Sequence, residues 1–300
     1  MVELPVMRLE GVVCPMPTPT DNGDIDTRAL ETYTSHLVNN GIRGLFPCGS
    51  IGEFSSLTEP QRSQVFETVT AHSGDTPVLA GCGDTNAANV RSHIEAAAAA
   101  GADAAVVVTP YYLSTTQSGL QRFFDTVADD SPLPTILYNI PALTGERLSV
   151  DLAAQLADHP NIVGLKDTSG DLTFLYDVIE STPTSFAVFQ GASELAIASL
   201  DAGADGMIAG PANVFPGAVA QLYNSYRAGD RERAESLMNA VVNPVVSATD
   251  DVPTAAAMKY LVGLNGYDIG GPLPPLPELD DAQREMLRQC YESVRATVTQ

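Results

Sequence analysis

Short apolar runs alternate along the chain with stretches of helical periodicity, at a spacing of about 25–30 residues. The apolar runs fall at 11–15, 44–48, 78–81, 104–109, 135–139, 162–166, 186–190 and 207–209. Between them, hydrophobic positions recur at helical spacing over 26–39, 86–100, 117–128, 149–158, 171–179, 193–202 and 216–227. Another helix follows Thr58, which is placed as its N-cap with Glu59 and Pro60 in the first turn. Asp26 and Ser149 stand where N-caps are wanted, and Gly41 and Gly101 stand just past helix ends. The runs are apolar at successive positions, not alternate ones, as expected of parallel strands covered on both faces.

Eight β–α units in series predict a closed (β/α)8 TIM barrel. A doubly wound open sheet is the competing arrangement, and it wants a glycine-rich phosphate turn after the first strand. The turn here, Cys14 to Thr20, reads CPMPTPT, with three prolines and no glycine. Three further helical stretches, 230–247, 254–263 and 280–297, follow the eighth unit, and a proline-rich connector (GPLPPLPELD) precedes the last. The expected division is a catalytic barrel over 1–228 and a C-terminal helical extension over 229–300.

Composition narrows the setting. The chain has 300 residues, and no apolar run approaches the ~18 needed for a membrane span. Its start, MVELPVMRLEG, lacks the basic and apolar regions of a signal peptide. Four scattered cysteines form no C-x-x-C pair, so neither a disulfide framework nor a metal site is expected, and a reducing cytoplasm fits best. The formal charge is −22, from 37 acidic and 15 basic side chains, which disfavours nucleic acid and anionic membranes as partners. The acids are dispersed, tryptophan is absent, and only Lys166 and Lys259 represent lysine. That pattern suits a halophilic cytoplasm, where screening over a few ångströms removes most self-repulsion, the alternative being an unusually acidic mesophilic enzyme.

In a barrel of this kind chemistry gathers at the C-terminal ends of the strands. The sixth run, 162–166, places Lys166 at such an end, followed by Asp167, Thr168, Ser169 and Gly170. A lysine there either snorkels to solvent or is desolvated toward the neutral amine, a nucleophile toward ketones. The second run ends in Gly49-Ser50-Ile51-Gly52-Glu53, either a tight turn or a set of N–H groups that hold an anion. The fourth ends in Thr109-Pro110-Tyr111-Tyr112 and the fifth in Tyr138-Asn139-Ile140-Pro141. A buried tyrosine there is a core residue with its hydroxyl tied off, or a proton carrier. The seventh ends in Gly191-Ala192-Ser193-Glu194 and the eighth in Gly210-Pro211-Ala212-Asn213. An amine, a phenol one strand away and an N–H-rich turn together suit a 2-keto acid. The ketone would form a Schiff base, and the carboxylate would sit in the turn. A protonated imine is an electron sink, so carbon–carbon cleavage needs no metal or organic cofactor.

At these residues the chain resembles the pyruvate-dependent class I aldolase superfamily of N-acetylneuraminate lyase and dihydrodipicolinate synthase. Gly49-Ser50-Ile51-Gly52-Glu53 stands where that family has G-[ST]-T-G-E, Tyr138-Asn139-Ile140-Pro141 matches Y-N-x-P, and Gly164 to Thr168 matches G-x-K-x-[TS]. The resemblance implies that Lys166 forms the Schiff base and that Tyr138 is the acid/base for the substrate's C4 hydroxyl. Ser50 would relay protons to Tyr138, and Tyr112 would reach the relay from a neighbouring subunit. Backbone N–H groups of Ser50 and Ile51 would hold the carboxylate, and Thr168, Gly191, Ser193 and Glu194 would face the rest of the substrate. It also implies a homo-oligomer, usually a tetramer.

Three departures shape the expected substrate. Ile51 replaces a threonine whose hydroxyl the family uses on the carboxylate. Leu143 and Thr144 stand where the synthase has an arginine for its aldehyde's carboxylate, and Pro141-Ala142-Leu143-Thr144-Gly145 looks like the sialate lyase branch. Gly266-Tyr267-Asp268-Ile269-Gly270 with Pro272, Pro274 and Pro275 resembles archaeal 2-keto-3-deoxygluconate aldolases. Those that take the 6-phosphate carry an arginine after Thr-Pro-Tyr-Tyr, whereas this chain has Leu113-Ser114. The expected activity is therefore reversible cleavage of 2-keto-3-deoxygluconate to pyruvate and glyceraldehyde. The alternatives are N-acetylneuraminate lyase, a 2-keto-3-deoxy sugar acid dehydratase, a dihydrodipicolinate synthase-like enzyme, and a non-catalytic keto-acid-binding barrel.

Overall fold

In the computed structural model, which describes residues 9–298, eight parallel strands form a ring with helices outside it. The strands are β1 (Gly11–Pro15), β4 (Gly44–Phe46), β5 (Leu79–Gly81), β6 (Ala104–Val108), β7 (Thr135–Asn139), β8 (Ile162–Asp167), β9 (Ala187–Gln190) and β10 (Gly206–Ile208). A two-stranded ribbon, β2 (Thr20–Asp21) with β3 (Asp24–Ile25), covers the loop after β1. Neighbours pair in the order β4-β1-β10-β9-β8-β7-β6-β5. The ring closes where Leu45 bridges Val78 and the Gly81 amide donates to the Pro47 carbonyl at 2.9 Å.

Nearly every strand residue is buried, as the continuous apolar runs predicted. Alternation along each strand divides them into two sets. Inward positions such as Val13, Phe46, Leu79, Val106, Ile136, Phe189 and Ile208 fill the barrel. Outward ones such as Cys14, Leu45, Ala105, Leu137 and Leu165 join the helices in a larger shell. That shell continues without a break into Val241, Met258, Leu261, Leu287 and Tyr291 of the C-terminal helices.

Local signals acted where they stand. Asp26, Asn86, Ser149 and Asp171 each accept a backbone N–H one turn into their helices. Thr58 forms a full capping box with Gln61. The second strand ends at Phe46 instead of 48, because Pro47 has no amide proton to pair and Cys48 takes a left-handed backbone, φ 55°. The stretch expected as one helix over 230–247 is interrupted. A π segment, Met238–Val242, separates Arg231–Leu237 from Asn243–Thr249. Pro244 lies just beyond it, and the wider turn makes room for a ring that would otherwise strike the preceding carbonyls.

One irregularity places the chemistry. Thr135 pairs with Ile162 but Ile136 pairs with Gly164, so β8 carries one extra residue at Val163. Without that slip Lys166 would lie opposite Asn139, on the outer face. With it Lys166 lies opposite Tyr138, and both side chains enter the barrel mouth.

Candidate active site

The lysine predicted as nucleophile is buried, with 5% of its surface exposed. Its Nζ stands 3.9 Å from the centre of the Tyr138 ring and 4.9 Å from that of Phe46. The two rings meet edge to face at 6.3 Å. The two π faces therefore border the amine on the inner side of the barrel. Phe46 escaped notice in the sequence. The signal was available, since it is the last inward-facing residue of β4.

Tyr138 is buried, and its hydroxyl lies 3.5 Å from Ser50 Oγ, the residue proposed as its relay partner. The turn from Gly49 to Glu53 presents the amides of Ser50 and Ile51, which donate to no acceptor among the described residues. Gly52 is obligatory here, because a Cβ would lie 2.9 Å from the Met16 carbonyl oxygen and 3.0 Å from the Cys48 amide. The Ile51 side chain turns toward Gly210 and Met258: its Cδ1 and the Met258 Cε both lie within 3.4 Å of the space a Gly210 Cβ would take. The Ile51 side chain therefore brings no polar group to this turn.

Thr168 and Gly191 come together beside the lysine. A Cβ on Gly191 would strike the Thr168 hydroxyl and lie 3.0 Å from Lys166 Cε. The Thr168 hydroxyl oxygen is buried and has no hydrogen-bond partner. Ser193 is buried at the following turn, whereas Glu194 faces solvent. The structure does not bring Tyr112 to the relay of its own chain. Its backbone takes φ 79° and its side chain is 92% exposed, because the turn after Pro110 throws it outward. Leu113 and Leu143 are exposed as well. Thr144 is used up locally, accepting from Thr109 Oγ1 at 3.0 Å and lying 3.1 Å from the carbonyls of Ile140 and Glu146.

Behind the two catalytic candidates, on the outer face, Asn139 donates to Asp167 at 2.7 Å and accepts from the Leu148 amide at 3.1 Å. Burial pushes the Asp167 carboxyl above the usual range, and its bonds from Asn139 and Ser169 pull the other way. This pair holds β7 and β8 in the register that aligns Tyr138 with Lys166. Asn139→Ala strips Asp167 of a donor and Leu148 of an acceptor, and is expected to destabilise the fold by about 1–3 kcal/mol in chemical denaturation.

The second lysine is also buried, with 2% exposed, so neither lysine serves the surface. Lys259 Nζ is 2.7 Å from Glu53 Oε1 and donates to the Gly271 carbonyl at 2.7 Å and to Thr20 Oγ1 at 3.2 Å. Burial lowers its pKa and the Glu53 carboxylate opposes that shift. Among the described residues no cluster of three metal-ligating side chains occurs. Likewise no described helix is long and apolar enough to cross a membrane.

A family profile, that of the dihydrodipicolinate synthetase family, matches residues 8–293. The chain belongs to the dihydrodipicolinate synthetase family. It is 37% identical to a 4-hydroxy-tetrahydrodipicolinate synthase of Methanoculleus marisnigri, over 93% of this chain and 97% of that protein. It is 35% identical to an uncharacterised DapA-like lyase of Halobacterium salinarum, over 93% and 92% respectively. Among solved structures it resembles YagE from E. coli K12 in complex with pyruvate. The TM-score is 0.92 with 31% identity, covering 96% of this chain and 99% of YagE. Membership of this family makes the chain an aldolase-like lyase.

Proposed function

We propose that this family member is a Schiff-base aldolase that cleaves 2-keto-3-deoxygluconate reversibly to pyruvate and glyceraldehyde. Lys166 Nζ attacks the C2 carbonyl, and loss of water leaves a protonated imine. The Tyr138 oxygen takes the proton of the C4 hydroxyl, the C3–C4 bond breaks, and its electrons enter the imine to give an enamine. The aldehyde departs, C3 is protonated, and hydrolysis frees pyruvate and Lys166. No metal or organic cofactor takes part. The amides of Ser50 and Ile51 hold the carboxylate, Ser50 passes protons to and from Tyr138, and Gly191, Ser193 and Glu194 border the polyol tail.

The observation that carries the substrate is the buried, unpartnered Thr168 hydroxyl beside Lys166. An orphaned polar atom costs stability unless a ligand supplies its partner, and a sugar-acid hydroxyl does so. The exposed Leu143 supports the same reading, since an apolar side chain offers nothing to a carboxylate-bearing aldehyde. The synthase reading draws its support from the names of the relatives. Tyr112, exposed on its own chain, is proposed to complete the relay of a second subunit in a homo-oligomer, a tetramer by family resemblance.

The test is a substrate panel in molar salt, chosen for the acid-rich surface and the cytoplasmic, salt-adapted setting it suits. The panel comprises 2-keto-3-deoxygluconate, its galactonate epimer, their 6-phosphates, N-acetylneuraminate, and pyruvate with a carboxylate-bearing aldehyde. Pyruvate release that is fastest from the unphosphorylated sugar acids supports the proposal. Preference for condensation with the carboxylate-bearing aldehyde establishes the synthase instead, cleavage of N-acetylneuraminate the sialate lyase, and loss of water without pyruvate release the dehydratase. A chain that gains no mass on Lys166 after pyruvate and borohydride is a binding barrel.

A further inference from the structure

The C-terminal extension reaches into the carboxylate-holding turn at two consecutive residues. Met258 closes against Ile51 and Gly210, and Lys259 pairs with Glu53, the last residue of the turn. The pair is dry, with 1% of the Lys259 side chain and none of the Glu53 side chain exposed. The ammonium donates to the Gly271 carbonyl and the Thr20 hydroxyl, and it forms an ion pair with Glu53 Oε1. The second Glu53 oxygen accepts the Leu273 amide of the proline-rich connector. Glu53 in turn closes the anion turn, its amide donating to the Ser50 carbonyl at 3.1 Å, and it does so with a left-handed backbone, φ 56°. From the other side the Thr18 hydroxyl donates to the Gly52 carbonyl at 2.7 Å.

A non-glycine residue holds a left-handed backbone only where its surroundings require it. The Glu53 side chain is paired with one 206 positions away in sequence, on the helix Thr254–Leu264. We infer that Lys259 is a positioning residue for catalysis: through Glu53 it sets the Ser50 and Ile51 amides on the substrate carboxylate and Ser50 Oγ on Tyr138. The extension then builds part of the active site. The arrangement also explains how the turn dispenses with a hydroxyl at position 51. Rigid backbone donors, locked by the ion pair, replace a side-chain contact, at a lower entropic cost of ordering. The inference rests on the Schiff-base reading above, in which that turn binds the carboxylate.

The experiment is borohydride trapping of pyruvate on Lys166, followed by intact mass over a range of pyruvate concentrations. Lys259→Met is expected to raise the half-saturating pyruvate concentration at least tenfold while Lys166 still becomes fully modified at saturation. Leu261→Ala, a buried core change on the same helix, is the stability-matched control and is expected to leave half-saturation unchanged. If Lys259→Met does not fold, Glu53→Gln keeps the side-chain shape and the Leu273 contact, and is expected to shift half-saturation in the same direction by several-fold. Half-saturation unchanged in the folded variant, or moved equally by Leu261→Ala, overturns the inference alone. No trapping in the native chain overturns the Schiff-base reading and this inference with it.

Discussion

Lys166→Arg is expected to bring turnover down to background while the barrel remains folded. Arginine keeps its charge at every accessible pH, and its guanidinium does not condense with a ketone. The surroundings accept the exchange, because the side chain lies between two aromatic faces, Tyr138 and Phe46, and a planar guanidinium stacks on such faces. The variant therefore separates chemistry from packing. The check is threefold: cleavage rate, a borohydride-dependent mass gain with pyruvate, and thermal melting. The expected pattern is no cleavage, no mass gain and a melting temperature close to native. Substantial residual cleavage would remove the lysine from the mechanism and leave the family's shared fold as the only basis for an enzymatic reading.

Tyr138→Phe tests the other half of the site. The ring, with its edge-to-face contact to Phe46 and its place beneath Lys166 Nζ, is retained. What is lost is one oxygen, whose protein partner is Ser50 at 3.5 Å. So long a hydrogen bond contributes little to the fold, and stability is expected to change by under about 1 kcal/mol. Proton transfer suffers far more. Loss of a positioned acid/base slows such steps by ~10²-fold or more. The variant should still trap pyruvate on Lys166, because imine formation starts at the amine, yet cleave the sugar acid at least ~10²-fold more slowly. An unchanged cleavage rate would assign the C4 proton to another group, and Ser50 would be the next candidate.

Much of this architecture is legible in the sequence. Caps such as Asp26, Thr58 and Ser149 act within one turn, and the apolar strands announce burial on both faces. Boundaries drifted where a local conformation intervened, as at Pro47 and Cys48 after β4, or at the π segment before Pro244. The site was legible as a set of residue types at strand ends, but not as a geometry. Tyr112 is the clearest case: its motif neighbours it with Tyr111, yet the turn carries it into solvent.

By itself the amino-acid order determined what depends on near neighbours: eight apolar runs, the helices between them, and a lysine at the end of the sixth. Tertiary structure alone decided which way that lysine points, since an extra residue at Val163 exchanges the inner and outer faces of β8 against β7. It alone brought Phe46 over the amine and set Lys259 against Glu53. A continuous apolar run records that a residue is buried, but which partner it meets depends on strand register and on contacts between distant segments. Those are settled only when the ring of strands closes and the C-terminal helices pack against it.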